Sequence, residues 1–347
     1  MVLRIALDMD YLAANVHGRR SRLAEAERLD ELCRLRTLAD LAHHLFPGEQ
    51  LLSVTELERR LILDLVEELT GLAARVGGAP ADLLEWLCVR FQVENLKVLA
   101  RGLAGGIALA DLEAYLVPMP ERLALPTEAL ASAESAEAFA ALVPEPVLRR
   151  GVEQAAPLYK ERSRAFFVEC GLDVGYLEGL LARAADLPAS EREDVLAIAR
   201  HEADTFMVML AARGRFHYRL PAEALRPFFV AHARTDRARF EKMLSAETPA
   251  EVGRLAVGAA LERAPGEGES ADAAEVEALA WDQHYRVANR CFRRSHMGLG
   301  AVVAYAAIRR IELANLIRLT EGIRAGLEPS ALRRRLIPRR GAERARV

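Results

Sequence analysis

The sequence has few of the residues that build β-sheets. Aromatic residues make up 6% of its 347 residues, and β-branched residues are sparse. Apart from the short opening VLRIAL, no segment alternates Val, Ile, Thr or aromatic side chains with polar ones, as a strand would. Ala, Leu, Arg and Glu dominate instead, and all four are strong helix formers. This composition predicts an all-α protein.

The sequence also lacks a disulfide framework, a metal-binding cysteine motif and a membrane span. Its four cysteines are scattered, without a CxxC pair or a nearby histidine group, which indicates free thiols in a reducing compartment. The longest nearly uncharged segment, residues 297–308, is shorter than the ~20 residues that a span needs. No apolar region of a cleavable signal opens the chain. We therefore expect a cytoplasmic protein whose contact with a membrane is only peripheral, through partners.

The chain has no strong net charge either. With 47 basic and 50 acidic residues it carries −3 at pH 7, so nucleic acid is not an expected partner. Basic residues cluster near the end of the chain, where a solvated helix end and tail is the simplest interpretation. Contact with lipid headgroups or with acidic loops of a partner is the alternative. The cluster comprises Arg333, Arg334, Arg335, Arg339, Arg340, Arg344 and Arg346.

One segment of the chain occurs twice without a gap. Residues 90–118 return as residues 310–338, with nine identical pairs. The two copies lie 220 positions apart. Half of that distance points to a weaker middle copy, from Arg200 to Ala231, in which Glu202 falls opposite Glu312. The offset in this copy changes from 110 to 107 residues before Leu220, which predicts three extra residues in a turn.

Three copies at this spacing predict three similar helical units, which we place at residues 1–118, 119–231 and 232–347. Each unit opens on a short helix with a polar cap (Thr37, Ser135 and Thr248), continues with a middle helix and closes on the repeated segment. The middle helices are expected around the Leu57–Leu72 stripe, at Pro146–Ala184 and at Asp272–Arg294. Three such units could close into a body with pseudo-three-fold symmetry or extend as a solenoid.

Three further local predictions follow from the sequence. Residues 8–29 should form an arginine-rich amphipathic helix, and Asp82 should cap the closing helix of the first unit. The low-complexity segment at residues 264–274 cannot bury an apolar face, so we expect a mobile loop there.

The polar and glycine residues of the repeated segment have structural explanations. Asn95 and Asn315, each followed by a leucine (Leu96 and Leu316), lie in the middle of a helix, where an amide is unfavourable unless it finds a partner. We expect each amide to bond backbone in a neighbouring helix or unit; a ligand or metal contact is the alternative. Two glycines per copy follow. Gly102 and Gly322 permit close approach, while Gly106 and Gly326 suit a left-handed helix cap.

Catalytic motifs are missing. His201 and Glu202 begin an HExxH pattern, but Thr205 stands where the second histidine belongs. No GxSxG occurs, and the repeated glycines follow no strand and precede no Lys-Ser/Thr pair, so neither an acyl-transfer site nor a phosphate loop is expected. We therefore predict no catalytic residue, no metal and no cofactor.

The repeated segments and capped helices together resemble one known family. The chain is similar over nearly its full length to the C subunit of the bacterial and archaeal V/A-type rotary ATPases, the relative of the d subunit of the eukaryotic V-ATPase. The E-x-x-N-L…G…G-L signature of that family is matched best at Glu312, Asn315, Leu316, Gly322, Gly326 and Leu327. Gln92 replaces the glutamate in the first unit, and Thr205 and Phe206 replace Asn and Leu in the second.

The resemblance implies a non-catalytic funnel of three helical units on the cytoplasmic face of a membrane. It would couple the proteolipid rotor ring to the central-stalk subunits, and so link ATP synthesis or hydrolysis to ion transport. We place candidate partner contacts at Arg90, Arg309, Arg310 and Arg318, and expect charge reversal at Arg310 to loosen the rotor assembly while leaving the fold intact.

Two other classes of function stay open from the sequence. A free-standing helical-repeat adaptor would bind protein partners in an open groove. An all-helical enzyme with a metal in the bundle core would need a cluster of ligands.

Overall fold

A computed structural model describes residues 2–51, 53–162, 164–265 and 271–338, with side chains from Met9 onward. Within these ranges the chain folds into helices and contains no β-strand, which confirms the predicted all-α class. Two predicted features lie partly outside the described residues. These are Arg339, Arg340, Arg344 and Arg346 of the basic cluster, and residues 266–270 of the low-complexity segment.

The helices follow a similar order in each third of the chain. The first third contains α1 Val2–Arg20, α2 Ala26–Leu32, α3 Leu38–Leu45, α4 Val54–Ala73, α5 Ala79–Gly105 and α6 Leu109–Leu112. The second contains α7 Thr127–Ala131, α8 Ala136–Leu142, α9 Pro146–Arg162, α10 Ala165–Ala185, α11 Ala189–Ala212 and α12 Ala222–Leu225. The third contains α13 Arg237–Leu244, α14 Pro249–Leu255, α15 Ala273–Ser295, α16 Leu299–Arg324 and α17 Pro329–Arg334. The division into units at residues 118 and 231 stays a prediction.

The predicted caps of the short opening helices are present. Thr37, Ser135 and Thr248 each accept a hydrogen bond from the backbone N–H three residues ahead, at 3.1, 3.1 and 3.2 Å. Each bond satisfies one of the free N–H groups in the first turn of a helix. Asp272 caps α15 in the same way, at 2.8 Å from the N–H of Glu275.

Three local predictions are wrong at the first unit. The opening VLRIAL is not a strand, because it runs without a helix breaker into the rest of α1. The helix predicted over residues 8–29 ends at Arg20, and the N–H of Ala24 donates to the Glu312 carboxylate at 2.5 Å instead of continuing the helix. Asp82 does not cap α5. Gly78 holds that place with a positive φ of 67°, and Asp82 lies within the first turn.

The middle helix predicted at Pro146–Ala184 is in fact two helices. Helix α9 ends at Arg162, and α10 packs back against it. Gly151 and Gly171 meet at this contact so closely that a Cβ on either would overlap the backbone of the other. The turn lets both helices bury their apolar faces on each other, which one continuous helix could not do.

Contacts between the long helices form a closed ring. Helix α10 packs against α5 and α11, α15 packs against α11 and α16, and α4 packs against α16 and α5. The contact between α4 in the first third of the chain and α16 in the last closes this ring of contacts, whereas an open solenoid would keep its two ends apart. Pseudo-three-fold symmetry itself stays a prediction.

The closing helices α11 and α16 run side by side in the same direction. Near their starts, the N–H of Leu299 donates to the Glu191 carboxylate at 2.7 Å. Three turns later Arg310 pairs with Glu202 at 2.8 Å, again between residues 108 positions apart. No described helix is both long enough and apolar enough to cross a membrane.

Candidate functional site

The two repeated asparagines tie the end of their unit to its closing helix. The Oδ1 of Asn95 accepts from the N–H of Val117 at 2.7 Å, and its Nδ2 donates to the Val117 carbonyl at 2.8 Å. Asn315 makes the same pair of bonds with Ile337, at 3.0 and 2.5 Å. Both amides are buried. The tied backbone lies just beyond the short helix that follows each closing helix, so within the predicted division it belongs to the same unit and not to a neighbouring one.

The two glycines of each copy turn the chain back onto the closing helix. A Cβ at Gly102 would overlap the side chain of Leu112, and a Cβ at Gly322 would overlap Leu332. Gly106 and Gly326 have φ values of +62° and +67°, which a glycine adopts at little cost. The glycines therefore permit the turn that presents Val117 and Ile337 to the asparagines. The motif leucines Leu96 and Leu316 are buried.

The second unit keeps the turn but makes it differently. Gly214 is the counterpart of Gly102 and Gly322, since a Cβ there would overlap Leu225 and its carbonyl accepts from the N–H of Leu220 at 2.8 Å. Gly322 bonds with the fifth residue after it and Gly214 with the sixth, so one of the three predicted extra residues lies between Gly214 and Leu220. Residues Arg213–His217 form a π-helical turn that accommodates it. Among the described residues, the Thr205 hydroxyl bonds within its own helix, to the His201 ring and carbonyl.

A cavity of about 450 Å³ lies where the closing helices face each other. Its wall draws on α5, α11, α15 and α16, and also includes Val117 and Ile337, the residues that the two asparagines hold in place. Most of the lining is apolar, including Phe91 and Met209. The repeated motif thus shapes part of the wall of this cavity.

Three of the four predicted arginines reach this cavity, and two of them are paired. Arg90 contacts Asp173 at 2.8 Å and Glu94 at 2.6 Å. Arg310 contacts the buried Glu202 at 2.8 Å. Although burial opposes charge on a carboxyl group, Arg310 holds the pKa of Glu202 below its usual value. These pairs join α5 to α10 and α16 to α11, so we expect charge reversal at Arg310 to disturb the fold.

Arg318 is different, because it lies on the cavity wall without an ion pair to any described carboxylate. The acidic group that influences it most, Glu277, is engaged by Arg213 at 2.6 Å. The side chain is half-buried, and burial lowers the pKa of its guanidinium. Arg318 is thus a partly desolvated cation facing the cavity.

Arg309 does not line the cavity. It lies on the other side of α16, in contact with Asp64 at 2.6 Å, Glu68 at 3.1 Å and Glu312 at 2.8 Å. Tyr305 donates to Glu68 at 2.6 Å. Glu312, the glutamate of the motif, also accepts from Ala24. This buried network holds two parts of the first third of the chain against α16: the segment that follows α1, and helix α4. The second of these is the contact that closes the ring.

A histidine pair, not foreseen from the sequence, lies beside the cavity. The Nδ1 atoms of His201 and His284 lie 3.3 Å apart, and both side chains are buried. Trp281 meets His284 edge-on, with ring centroids 5.6 Å apart. Burial lowers the pKa of His284 to about 4, so the pair is neutral at pH 7. The two residues lie 83 positions apart, and nothing in either local sequence marks the contact.

Among the described residues no three His, Cys, Asp or Glu side chains are grouped so that they could hold a metal ion. The four cysteines are buried free thiols. The cavity offers an apolar wall, two internally paired arginines and one cation without an ion-pair partner in the described chain.

Comparison with known proteins agrees with this architecture. The family model described as ATP synthase (C/AC39) subunit matches residues 12–335, nearly the whole chain. No curated protein gives a significant match. The chain therefore belongs to the ATP synthase (C/AC39) subunit family, which is that of the C subunit of the V/A-type ATPases.

Proposed function

We propose that the protein is the central-rotor socket of a V/A-type ATP synthase or ATPase, which couples the membrane proteolipid ring to the central stalk. The cavity, which is lined by helices from all three thirds of the chain, carries this proposal, because a torque coupler needs a hollow that an axial partner can enter. In this role the protein performs no catalysis, binds no cofactor and sits on the cytoplasmic face of the membrane as a peripheral subunit.

The contacts between units supply the stiffness that such a role requires. Torque that enters at the cavity must leave through the whole body, so neighbouring units must not slide past each other. Arg90 with Asp173, Arg310 with Glu202 and Arg309 with Asp64 each bridge two units of the predicted division. Arginine is suited to these bridges because its planar group forms several directed hydrogen bonds at once.

A test of the assembly is affinity purification from a gentle detergent extract of the native membrane. We expect the proteolipid ring and the stalk subunits to accompany the tagged protein. Ala314→Trp, which fills part of the cavity wall, should release the stalk while the ring stays bound. Ala233→Trp, at a half-buried position outside the cavity lining, serves as the control. Recovery of the native protein alone would overturn the proposal.

The adaptor hypothesis has less support. An adaptor of the solenoid type binds its partner in an extended concave groove, which requires the two ends of the chain to stay apart. Here α4 packs on α16, which brings the two ends together.

A further inference from the structure

The charges on the cavity wall are satisfied within the protein, with one exception. Arg90 is held by Asp173 and Glu94, and Arg310 by Glu202. Glu277, the acidic residue across from Arg318, is held by Arg213. Arg318 alone among these cavity groups has no ion pair with the described part of the chain.

An unpaired cation in a partly desolvated place is unfavourable. Arg213 adds like charge, which further disfavours the protonated guanidinium. A carboxylate that entered the cavity would relieve both effects, and its bonds to the guanidinium would be charge-assisted. The surroundings of Arg318 therefore favour an anionic group in the occupant.

The other lining residues indicate the chemistry of the rest of the occupant. Ile311, Ile317 and Ile337 lie among the lining residues, so the occupant must be apolar around its anionic group. A helix is about 10–12 Å across and rises about 5.4 Å per turn, so one turn fills roughly 400–600 Å³. The cavity, at about 450 Å³, therefore accommodates about one helical turn.

We propose that Arg318 recognises an acidic side chain on the terminal turn of a helix that the partner protein inserts into the cavity. The inference rests on the proposed socket function and adds the group that selects the partner. Arg90 and Arg310 serve the fold, whereas Arg318 serves binding.

The test compares stalk binding by charge variants of α16. Purified central-stalk subunits from the same organism are titrated into the full-length protein by calorimetry at two salt concentrations. Arg318→Gln should weaken binding by about 10- to 100-fold, since bonds to charged groups contribute about 1.5–3 kcal/mol. Arg318→Lys should fall between Gln and the native protein. Arg324→Gln is the matched control, on the same helix but paired with the nearby Glu321 and outside the cavity.

Stability separates recognition from a structural role. Because Arg318 lacks an ion-pair partner in the described chain, Arg318→Gln should unfold at the same urea concentration as the native protein or a higher one. In the stalk protein, replacement of the recognised Glu or Asp of the inserted helix by Lys should restore stalk binding by the Arg318→Glu variant.

Two outcomes would overturn the inference, and they differ. If the native protein binds the stalk and Arg318→Gln binds equally tightly, the inference fails while the socket function stands. If the native protein does not bind the stalk at all, the socket function fails and the inference with it.

Discussion

Asn95 and Asn315, 220 positions apart, each pair with both backbone groups of the residue 22 positions further along. The partners of these amides, Val117 and Ile337, both lie on the wall of the cavity between the closing helices. The repeat thus preserves a tie that shapes the proposed socket.

Removal of this tie should destabilise the protein. Asn315→Ala leaves the N–H and carbonyl of Ile337 without their side-chain partner, at a cost of roughly 1–3 kcal/mol for each buried group. We expect the free energy of unfolding in urea to fall by about 3 kcal/mol. Thr320→Val is the control, because Thr320 bonds only to the Leu316 carbonyl of its own helix. A loss no larger than that of the control would contradict the assigned role.

Replacement of a motif glycine by alanine should change the free energy of unfolding by an amount that depends on the surroundings of that glycine. Gly322→Ala places a methyl group against Leu332 and should cost about 1–3 kcal/mol through overpacking. Gly326→Ala meets open space but a positive φ, so about 1 kcal/mol is expected. Gly71→Ala, exposed inside α4 with nothing near it, should instead stabilise by about 0.5–1 kcal/mol. Urea unfolding of the three variants checks this order, and an equal effect of all three would argue against it.

Charge reversal at Arg310 should weaken the fold, contrary to the expectation from the sequence. Arg310→Glu places two carboxylates together at a mostly buried site, and loss of one partner from such a pair costs about 3–5 kcal/mol. The double variant Glu202→Arg/Arg310→Glu should recover part of the loss. Circular dichroism during thermal unfolding measures both, and an unchanged melting temperature for the single variant would show that the pair is not needed.

The buried histidine pair should make stability depend on pH. His284 has a folded pKa of about 4, below the ordinary value of 6.5, so the unfolded chain binds more protons between these values. The contribution of His284 to the free energy of unfolding is complete above pH 6.5. As the pH falls toward 4 this contribution, about 3 kcal/mol in total, is lost. Glu202 and Arg310 are the charged groups that act on His284. Glu202 loses its own contribution only below the ordinary glutamate pKa of 4.5.

His284→Gln should reduce this pH dependence between pH 6.5 and 4, as measured by urea unfolding at a series of pH values. The part that remains comes from His201, whose pKa burial also lowers. His43→Gln, an exposed histidine in α3, should leave the pH dependence as in the native protein. The same slope in all three proteins would mean that other groups govern the acid sensitivity.

The features predicted correctly from the sequence depend on short stretches of chain. A cap such as Thr37 requires only the N–H three residues ahead, and the left-handed φ of Gly106 requires only its own missing side chain. Helix ends were predicted less well where tertiary contacts decide them. The first helix stops at Arg20, and Glu312, from the other end of the chain, holds the backbone that follows it.

The candidate site could be predicted only in part for the same reason. Arg309 and Arg310 are adjacent in sequence, yet one joins a buried network with α4 and the other reaches the cavity and Glu202. Which direction each faces depends on the helices that pack around α16. The contact between His201 and His284 likewise exists only because α11 and α15 pack together.

Site-specific photo-cross-linking in the assembled complex tests the central claim most directly. Phe91, a cavity-lining residue, is replaced by p-azidophenylalanine, which nearly preserves its shape, and the membrane complex is irradiated. The socket function predicts a cross-link to a central-stalk protein, and none from the same substitution at Phe46, which lies outside the cavity lining beneath Arg60. A cross-link from Phe91 to the proteolipid ring alone, or none in a complex that contains the stalk, would contradict it.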